Sequence, residues 1–560
     1  MSFLQFLISE ISQNTFIQFA ATITIVVAAI VLLFRIRRKF FLNAGEVFLL
    51  SFLGLIAVFG LFSPFPERNL FYRIGLVLGV FVILKTLFGE RDIRLLSVVI
   101  VLLGICETLY GISRYRSDVL GACGHFDNPA GFASMLIALL PFAVYQVVRR
   151  GFLLRILGIC AIGIFLTGLV LSKSRAGLIA AGAIGAICLL RYTYKSFASL
   201  SEKIKWLVSV FISACIIGGG ISLYFYKKDS ADGRLLIWKS SWDMVTDKPF
   251  FGHGANAFQP NYMLYQAAYF EKNPNSRFGN LADNVRAPFN EYLGFLIQFG
   301  VTGILLLSVL LFFTFRKSLI IITEDKQMAV LSLLGIGILG LFSYPLSYAV
   351  VLIMVSLNLF LITRSQGQDI LKGTVLVWLL LAIFLPAVYY ASVDSMRKVR
   401  SEKVWSRLKK QYFIQGVSEQ MLTRYRDLYL IEQFDDPEFL YNYGAILNKS
   451  GQYQQSNQVL RDCERQLNDC DVQVLQADNY YNVGDYIQAE QCARLASRMC
   501  PNRFTPLYQL VLIYDKTGRR AKALQLSDEI LRKPMKVRNT EVYKIKLKLN
   551  AFIQQNDRFE

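Results

Sequence analysis

Two arginines sit in polar connectors between long apolar blocks, Arg175 in SKSRAG at 172–177 and Arg234 in ADGRLLIWKSSWDMVTDKPFFGHGANAF at 231–258. A planar guanidinium grips two phosphate oxygens at once, so a pair of such residues near a bilayer surface suits a lipid diphosphate. Arg234, Trp238 and Trp242 recur at i, i+4 and i+8, which predicts one face of a short helix starting at Asp232-Gly233. Pro249 stops it before the Gly252-His253-Gly254 turn. The competing reading is an interfacial helix whose tryptophans lie at headgroup depth while Arg234 snorkels. Arg175 is either paired with an anionic substrate or bound to lipid phosphates.

Two further stretches carry polar groups at the mouths of apolar segments. NVRAPFNEYLGFLIQFG at 284–300 offers Arg286, Asn290, Glu291 and Tyr292, and RYRSDVLGACGHFDNPAG at 114–131 offers Asp127 and Asn128. Arg286, Asn290, Tyr292, Trp238, Asp127 and Asn128 are candidate substrate contacts, although Asp127-Asn128-Pro129 equally reads as a turn or cap before the fifth span. The chain has no HExxH, no Gly-rich phosphate loop, no GxSxG and no zinc-like cysteine spacing. His125 and His253 are its only histidines, which excludes a histidine-based metal cluster.

The elements that must position these groups follow from composition. Over 560 residues, 54% are hydrophobic and mean hydropathy is +0.41, so membrane spans are expected. Windows long enough to span fall at 15–34, 46–63, 70–88, 95–112, 130–148, 152–171, 175–191, 205–226, 291–315, 327–345, 346–363 and 372–391, the last but two and last but one parted at Tyr344-Pro345. One set of connectors holds nineteen Lys and Arg residues and the alternate short connectors five, so both termini are expected outside the cytoplasm. Residues 1–15 lack the positive n-region of a cleavable signal peptide. The net charge of +20 lies in short clusters between apolar blocks, not in a basic stripe interleaved with aromatics. A nucleic-acid partner is therefore rejected. The expected fold is all-α: a polytopic membrane bundle at 1–391 with a large external loop at 227–290, then a soluble external domain at 392–560.

That tail reads as a tetratricopeptide-like array. Gly451, Gly484 and Gly518 are spaced 33 and 34 residues apart, with Ala477, Tyr486, Ala489, Ala496 and Pro501 at the small, aromatic and terminating positions around the second. Small residues let paired helices approach, and each pair buries its apolar face against its neighbour. Cys463, Cys470, Cys492 and Cys500 are either disulfide-bonded or buried free thiols.

With these motifs in order, the chain resembles the O-antigen ligase and polymerase superfamily, membrane enzymes that use glycans carried on undecaprenyl diphosphate. The family's Arg-x-x-x-Trp and Asp-x-Pro-x-x-Gly-x-Gly segment is matched by Arg234, Trp238, Asp247, Pro249, Gly252 and Gly254. Its Ser-Arg-Gly-like motif is matched by Ser174-Arg175-Ala176-Gly177, and its Phe-x-Asn-Pro element by Phe126-Asp127-Asn128-Pro129. Its His-Asn-x-Tyr-Leu motif and Gly-rich helix are matched by Asn290-Glu291-Tyr292-Leu293 and Gly300-Val301-Thr302-Gly303. The resemblance covers roughly residues 20–390. It implies metal-independent glycosyl transfer without a cofactor, in the bacterial inner membrane, with arginines holding the diphosphate and a histidine taking the acceptor proton. This chain departs from the pattern there, since Phe289 stands where the family has histidine. The replacement base is expected to be Glu291, then His253, then Asp127 or Asp283; Glu291 otherwise only faces the positive end of its own helix.

The expected activity is transfer of a lipid-linked glycan to lipid A–core or to protein hydroxyls, the repeats slightly favouring a protein partner. The alternative within the class is a polysaccharide polymerase. From another class come a transporter and a non-catalytic scaffold. Transport is disfavoured because the spans lack a paired central acid, with Glu107 the nearest exception.

Overall fold

The structure is a computed structural model that describes residues 13–35, 40–64, 68–115, 121–198, 225, 228–315, 323–364, 371–431, 436–535 and 539–556. Among them the only strands are β1 (Phe40–Leu42) and β2 (Leu371–Gly373), paired antiparallel with Phe41 opposite Lys372. The rest of the regular structure is helical, as the apolar blocks predict. The chain divides into two compact units, one of Met1–Lys227 with Phe289–Val399 and one of Lys228–Pro288 with Arg400–Glu560.

The first unit contains α1 (Gln13–Phe34), α2 (Ala44–Leu61), α3 (Arg68–Leu87), α4 (Glu90–Ser113), α5 (Pro129–Val148), α6 (Phe152–Leu171) and α7 (Arg175–Ala198). In the second, α8 (Lys228–Asp247) and α9 (Phe258–Lys272) follow. The chain then returns to the first with α10 (Glu291–Phe315), α11 (Glu324–Gly340), α12 (Ala349–Thr363) and the start of α13 (Thr374–Gln415). Eight of the described helices, α1 to α6, α10 and α13, are long and apolar enough to cross a membrane. The windows expected at 175–191, 327–345 and 346–363 correspond to α7, α11 and α12, of which α11 has 17 residues and α12 has 15. The window at 205–226 lies outside the described residues apart from Phe225.

Burial inside the first unit follows composition. Nearly every residue of α5 is buried, and Phe132, Leu136, Phe142 and Phe165 of α6 form its centre with α12. One ion pair holds three helices together away from water. Glu46 is 0% exposed, closes a capping box with Asn43 at the start of α2, and takes Lys85 Nζ of α3 at 2.5 and 2.6 Å. Asn43 in turn donates to the Thr363 carbonyl at the end of α12. A buried pair of this kind is strongly destabilising to break on one side, by about 3–5 kcal/mol.

The second unit continues with α14 (Glu419–Ile431), then α15 (Pro437–Lys449), α16 (Tyr453–Glu464), α17 (Cys470–Val483), α18 (Tyr486–Met499), α19 (Thr505–Lys516), α20 (Arg520–Arg532) and α21 (Thr540–Asn556). Helices α15/α16, α17/α18 and α19/α20 are successive pairs, each turned at a glycine with positive φ: Gly451 at 79°, Gly484 at 89° and Gly518 at 74°. Ala477, Ala489, Ala493 and Ala496 are all 0% exposed, so α17 and α18 approach through methyl groups. Asn479 links the first two pairs, accepting from Asn448 and donating to Ser456 Oγ and Asn457 Oδ1. Cys463, Cys470, Cys492 and Cys500 are free thiols, the first donating to the Pro437 carbonyl at 3.3 Å. The compositional change near Ser392 falls inside α13, because a helix leaving an apolar environment changes its side chains without breaking its backbone ladder.

Candidate active site

In the first unit, three of the segments singled out by sequence meet. The loop at 121–128 is pinned to the turn between α6 and α7: Ala122 N donates to the Leu171 carbonyl at 2.9 Å. A Cβ on Gly121 would lie 2.2 Å from the Ser172 carbonyl oxygen, so only glycine allows this approach. Arg175, partly buried, is the first residue of α7 just beyond that turn. On its other side the loop meets the break between α11 and α12. Asn128 Oδ1 caps α5 by accepting from Ala130 N and Gly131 N, and also accepts from Tyr348 OH at 3.0 Å. Phe126 packs edge-on against Tyr348, Tyr348 stacks on Tyr344, and Tyr344 packs against Phe289 at 5.4 Å. Asp127 remains exposed beside them.

The opening of α10 completes this cluster. Asn290 Oδ1 accepts from Leu293 N at 3.0 Å, so it caps its own helix. Glu291 Oε1 accepts from Leu346 N at 2.8 Å and so holds the 3-10 turn Pro345–Ser347 that separates α11 from α12. Tyr292 OH donates to the Gly337 carbonyl at 3.0 Å. Glu291 and Tyr292 also line a cavity of about 310 Å³ with Arg73 and Gln298. At Gly300, φ of 63° and ψ of −166° bend α10 in a region open essentially to glycine alone.

A second cavity, about 880 Å³, is walled by apolar side chains of α1, α3, α4, α5 and α12 and bears Glu107, His125 and Asp127 as its charged and imidazole groups. Glu107 Oε2 lies 2.7 Å from His125 Nδ1, and Glu107 Oε1 accepts from the His125 backbone N–H at 2.8 Å.

The second unit positions the remaining candidates. Helix α8 is described from Lys228, so Asp232-Gly233, expected to start it, lies inside the helix. Its buried stripe, Asp232, Leu236, Ile237, Ser240, Ser241, Met244 and Val245, packs inward, with Leu236 against Phe270, Phe278 and Ala282. Arg234 and Trp238 lie beside that stripe, partly buried, while Trp242 is 56% exposed. Trp238 Nε1 donates to the Pro288 carbonyl at 3.0 Å, tying the helix to the end of the loop. His253 is buried and its Nε2–H donates to the Met244 carbonyl at 2.8 Å, which commits that nitrogen to the C-terminal end of α8.

The same unit shows what the 228–288 segment rests on. Arg286 pairs with Glu438 of α15. Asp283 pairs with Arg503 at 2.9 Å, and Arg503 also grips Asp471. Asn284 donates to Asp471 and accepts from Cys470 N, and Asn502 donates to the Asn280 and Ala282 carbonyls. Gln266, fully buried in α9, donates to the Met499 carbonyl that ends α18. The flanking carboxylates hold Arg503 above the ordinary arginine range despite its partial burial, which alone would lower it.

Residues 159–308 match a family model described as O-antigen ligase. That stretch includes Arg175, the Arg234 to Gly254 segment, Arg286, and Phe289 through Gly303. No curated protein matches the chain significantly. With eight helices of membrane-spanning length, the chain is a multi-pass membrane protein carrying an O-antigen-ligase-type stretch.

Outside that ligase-type stretch lie the groups that sequence reading passed over. Tyr344 marks only the parting of two apolar windows there, and Tyr348 and Arg73 do not figure in it at all. Glu107 was weighed only against transport, and His125 only as one of two histidines. The available signal was the pairing of an acid near the end of a span with a histidine in the next connector.

Proposed function

We propose that the chain is a membrane glycosyltransferase that moves a glycan from undecaprenyl diphosphate to an acceptor hydroxyl, on lipid A–core or protein, at the periplasmic face of the bacterial inner membrane. The observation that supports this most is the convergence in one unit of the 121–128 loop, the turn before Arg175 and the Phe289–Tyr292 segment. An apolar cavity of about 880 Å³ with polar groups on its wall fits a lipid whose reacting end is charged.

In this reading Arg175 and Arg234 each hold phosphate oxygens. A diphosphate is already a good leaving group, so stabilising its developing charge and accepting one proton suffices, and no metal is required. The charge bias of the connectors supports placing both termini and the repeat tail in the periplasm. The turn glycines and buried alanines support tetratricopeptide-like packing in that tail. Arg286 and Asp283 are engaged with Glu438 and Arg503, so they act in this reading by positioning the segment, not by touching sugar.

The test is Arg234→Ala. Transfer is expected to fall by about 100-fold or more while the protein level stays constant. Normal product from that variant, measured by loss of lipid-linked donor in membranes, would remove the diphosphate assignment.

A further inference from the structure

We infer that His125, oriented by Glu107, is the group that takes the acceptor proton; the inference rests on the glycosyl-transfer reading above. One carboxylate holds the histidine twice, at the ring Nδ1 (2.7 Å) and at the backbone N–H (2.8 Å). With Nδ1–H donating to Glu107, the other ring nitrogen, Nε2, keeps its lone pair, which is the tautomer a general base needs.

The surroundings restrict that ring in every direction the geometry gives. Tyr110 stacks on it at 3.9 Å with an interplanar angle of 8°, and Tyr110 OH is itself held by Arg114 at 2.6 Å. Gly124, at φ 55°, is where the loop turns over the carboxylate, and a Cβ there would lie 2.3 Å from Glu107 Oε1. His125 nonetheless stays 30% exposed by its side chain and lines the large apolar cavity, so the ring is fixed yet reachable. The loop that carries it is bonded to the turn preceding Arg175 and, through Phe126, Tyr348 and Tyr344, touches Phe289. The histidine's loop is thus linked, by a run of aromatic contacts, to the segment whose phenylalanine can accept no proton.

The step balances without another reagent. The acceptor O–H proton passes to His125 Nε2 as its oxygen bonds the anomeric carbon. The bond from that carbon to the phosphate oxygen breaks, and its electron pair leaves with the lipid diphosphate. Glu107 touches no reacting atom; it is a positioning residue.

The full-length chain, purified in detergent, is assayed with undecaprenyl-diphosphate-linked glycans and with lipid A–core and envelope-protein acceptors, all extracted from its source cells, reading acceptor-dependent release of undecaprenyl diphosphate. His125→Ala and His125→Gln are expected to lower kcat by about 10²- to 10⁴-fold at unchanged donor KM. Added imidazole is expected to restore part of the rate in His125→Ala and none in His125→Gln. Glu107→Gln, whose Oε1 still accepts from the backbone, turns an amide N–H toward Nδ1 and so favours the tautomer with the proton on Nε2; it is expected to lower kcat strongly while leaving KM alone. Near-normal turnover by His125→Gln, or no imidazole response in His125→Ala, overturns the inference and leaves the pair as a loop anchor. If His125→Gln turns over while Arg234→Ala does not, only this inference falls. If the unmodified chain releases no undecaprenyl diphosphate, the glycosyl-transfer reading fails and takes it along.

Discussion

Phe289 has φ of 51°, a left-handed backbone that a bulky side chain adopts only when its surroundings impose it. Its ring packs on Tyr344, and two residues later Glu291 reaches the N–H of Leu346 across the α11–α12 break. Glu291 therefore has a structural task, whatever chemistry it also does. Glu291→Ala is expected to destabilise the protein by about 1–2 kcal/mol, whereas Glu291→Gln, which keeps an accepting oxygen, is expected to melt near the unmodified temperature. Thermal unfolding in detergent separates the two, and equal losses would refute the Leu346 bond as the cause. Residues such as Arg234 and Trp238 were legible because their helical spacing is local. The Glu107–His125 pair was not, since joining residues 18 apart depends on how the chain turns at Gly124, and spacing alone does not reveal a turn.

At the scale of elements, hydrophobic run length located the helices from 13 to 171 well, because burial in a bilayer is read directly from composition. It carries no measure of how much of each helix the protein itself covers. Helix α12 has 15 residues, most of them buried, with a sequence as apolar as the longer helices. Helix α10 also appeared uninterrupted, although Gly300 bends it. Gly300→Ala forces a side chain into that backbone conformation and is expected to cost about 1–3 kcal/mol. The expected outcome is a lower melting temperature together with reduced transfer, because the bend aims the turn that carries Asn290 and Tyr292. An unchanged melting temperature would mean that α10 straightens at no cost.

For the whole molecule, sequence reading expected one clear boundary, near Ser392, with the repeats slightly favouring a protein partner. The contacts group the 228–288 segment with residues 400–560 in one compact unit. No composition signal announces this, since the ties are single polar contacts between residues more than 150 positions apart, such as Arg286 with Glu438. Arg503, paired with both Asp283 and Asp471, is the most connected of them. Arg503→Ala is expected to loosen the segment and to speed tryptic cleavage after Lys272, Arg277 and Arg286 several-fold relative to cleavage within α15 to α20. Cleavage at the unmodified rate would show that the remaining ties suffice.

That arrangement also orders biosynthesis. Residues 228–288 leave the ribosome long before Glu438, Asp471, Met499 and Arg503 exist, yet these are the groups that satisfy Arg286, Asn284, Gln266 and Asp283. The segment must wait, after its own synthesis, for more than two hundred further residues before its polar groups are matched. A truncation that spares every membrane helix but ends before the repeats would leave it permanently unmatched, a substrate for quality-control proteases and not a minimal enzyme.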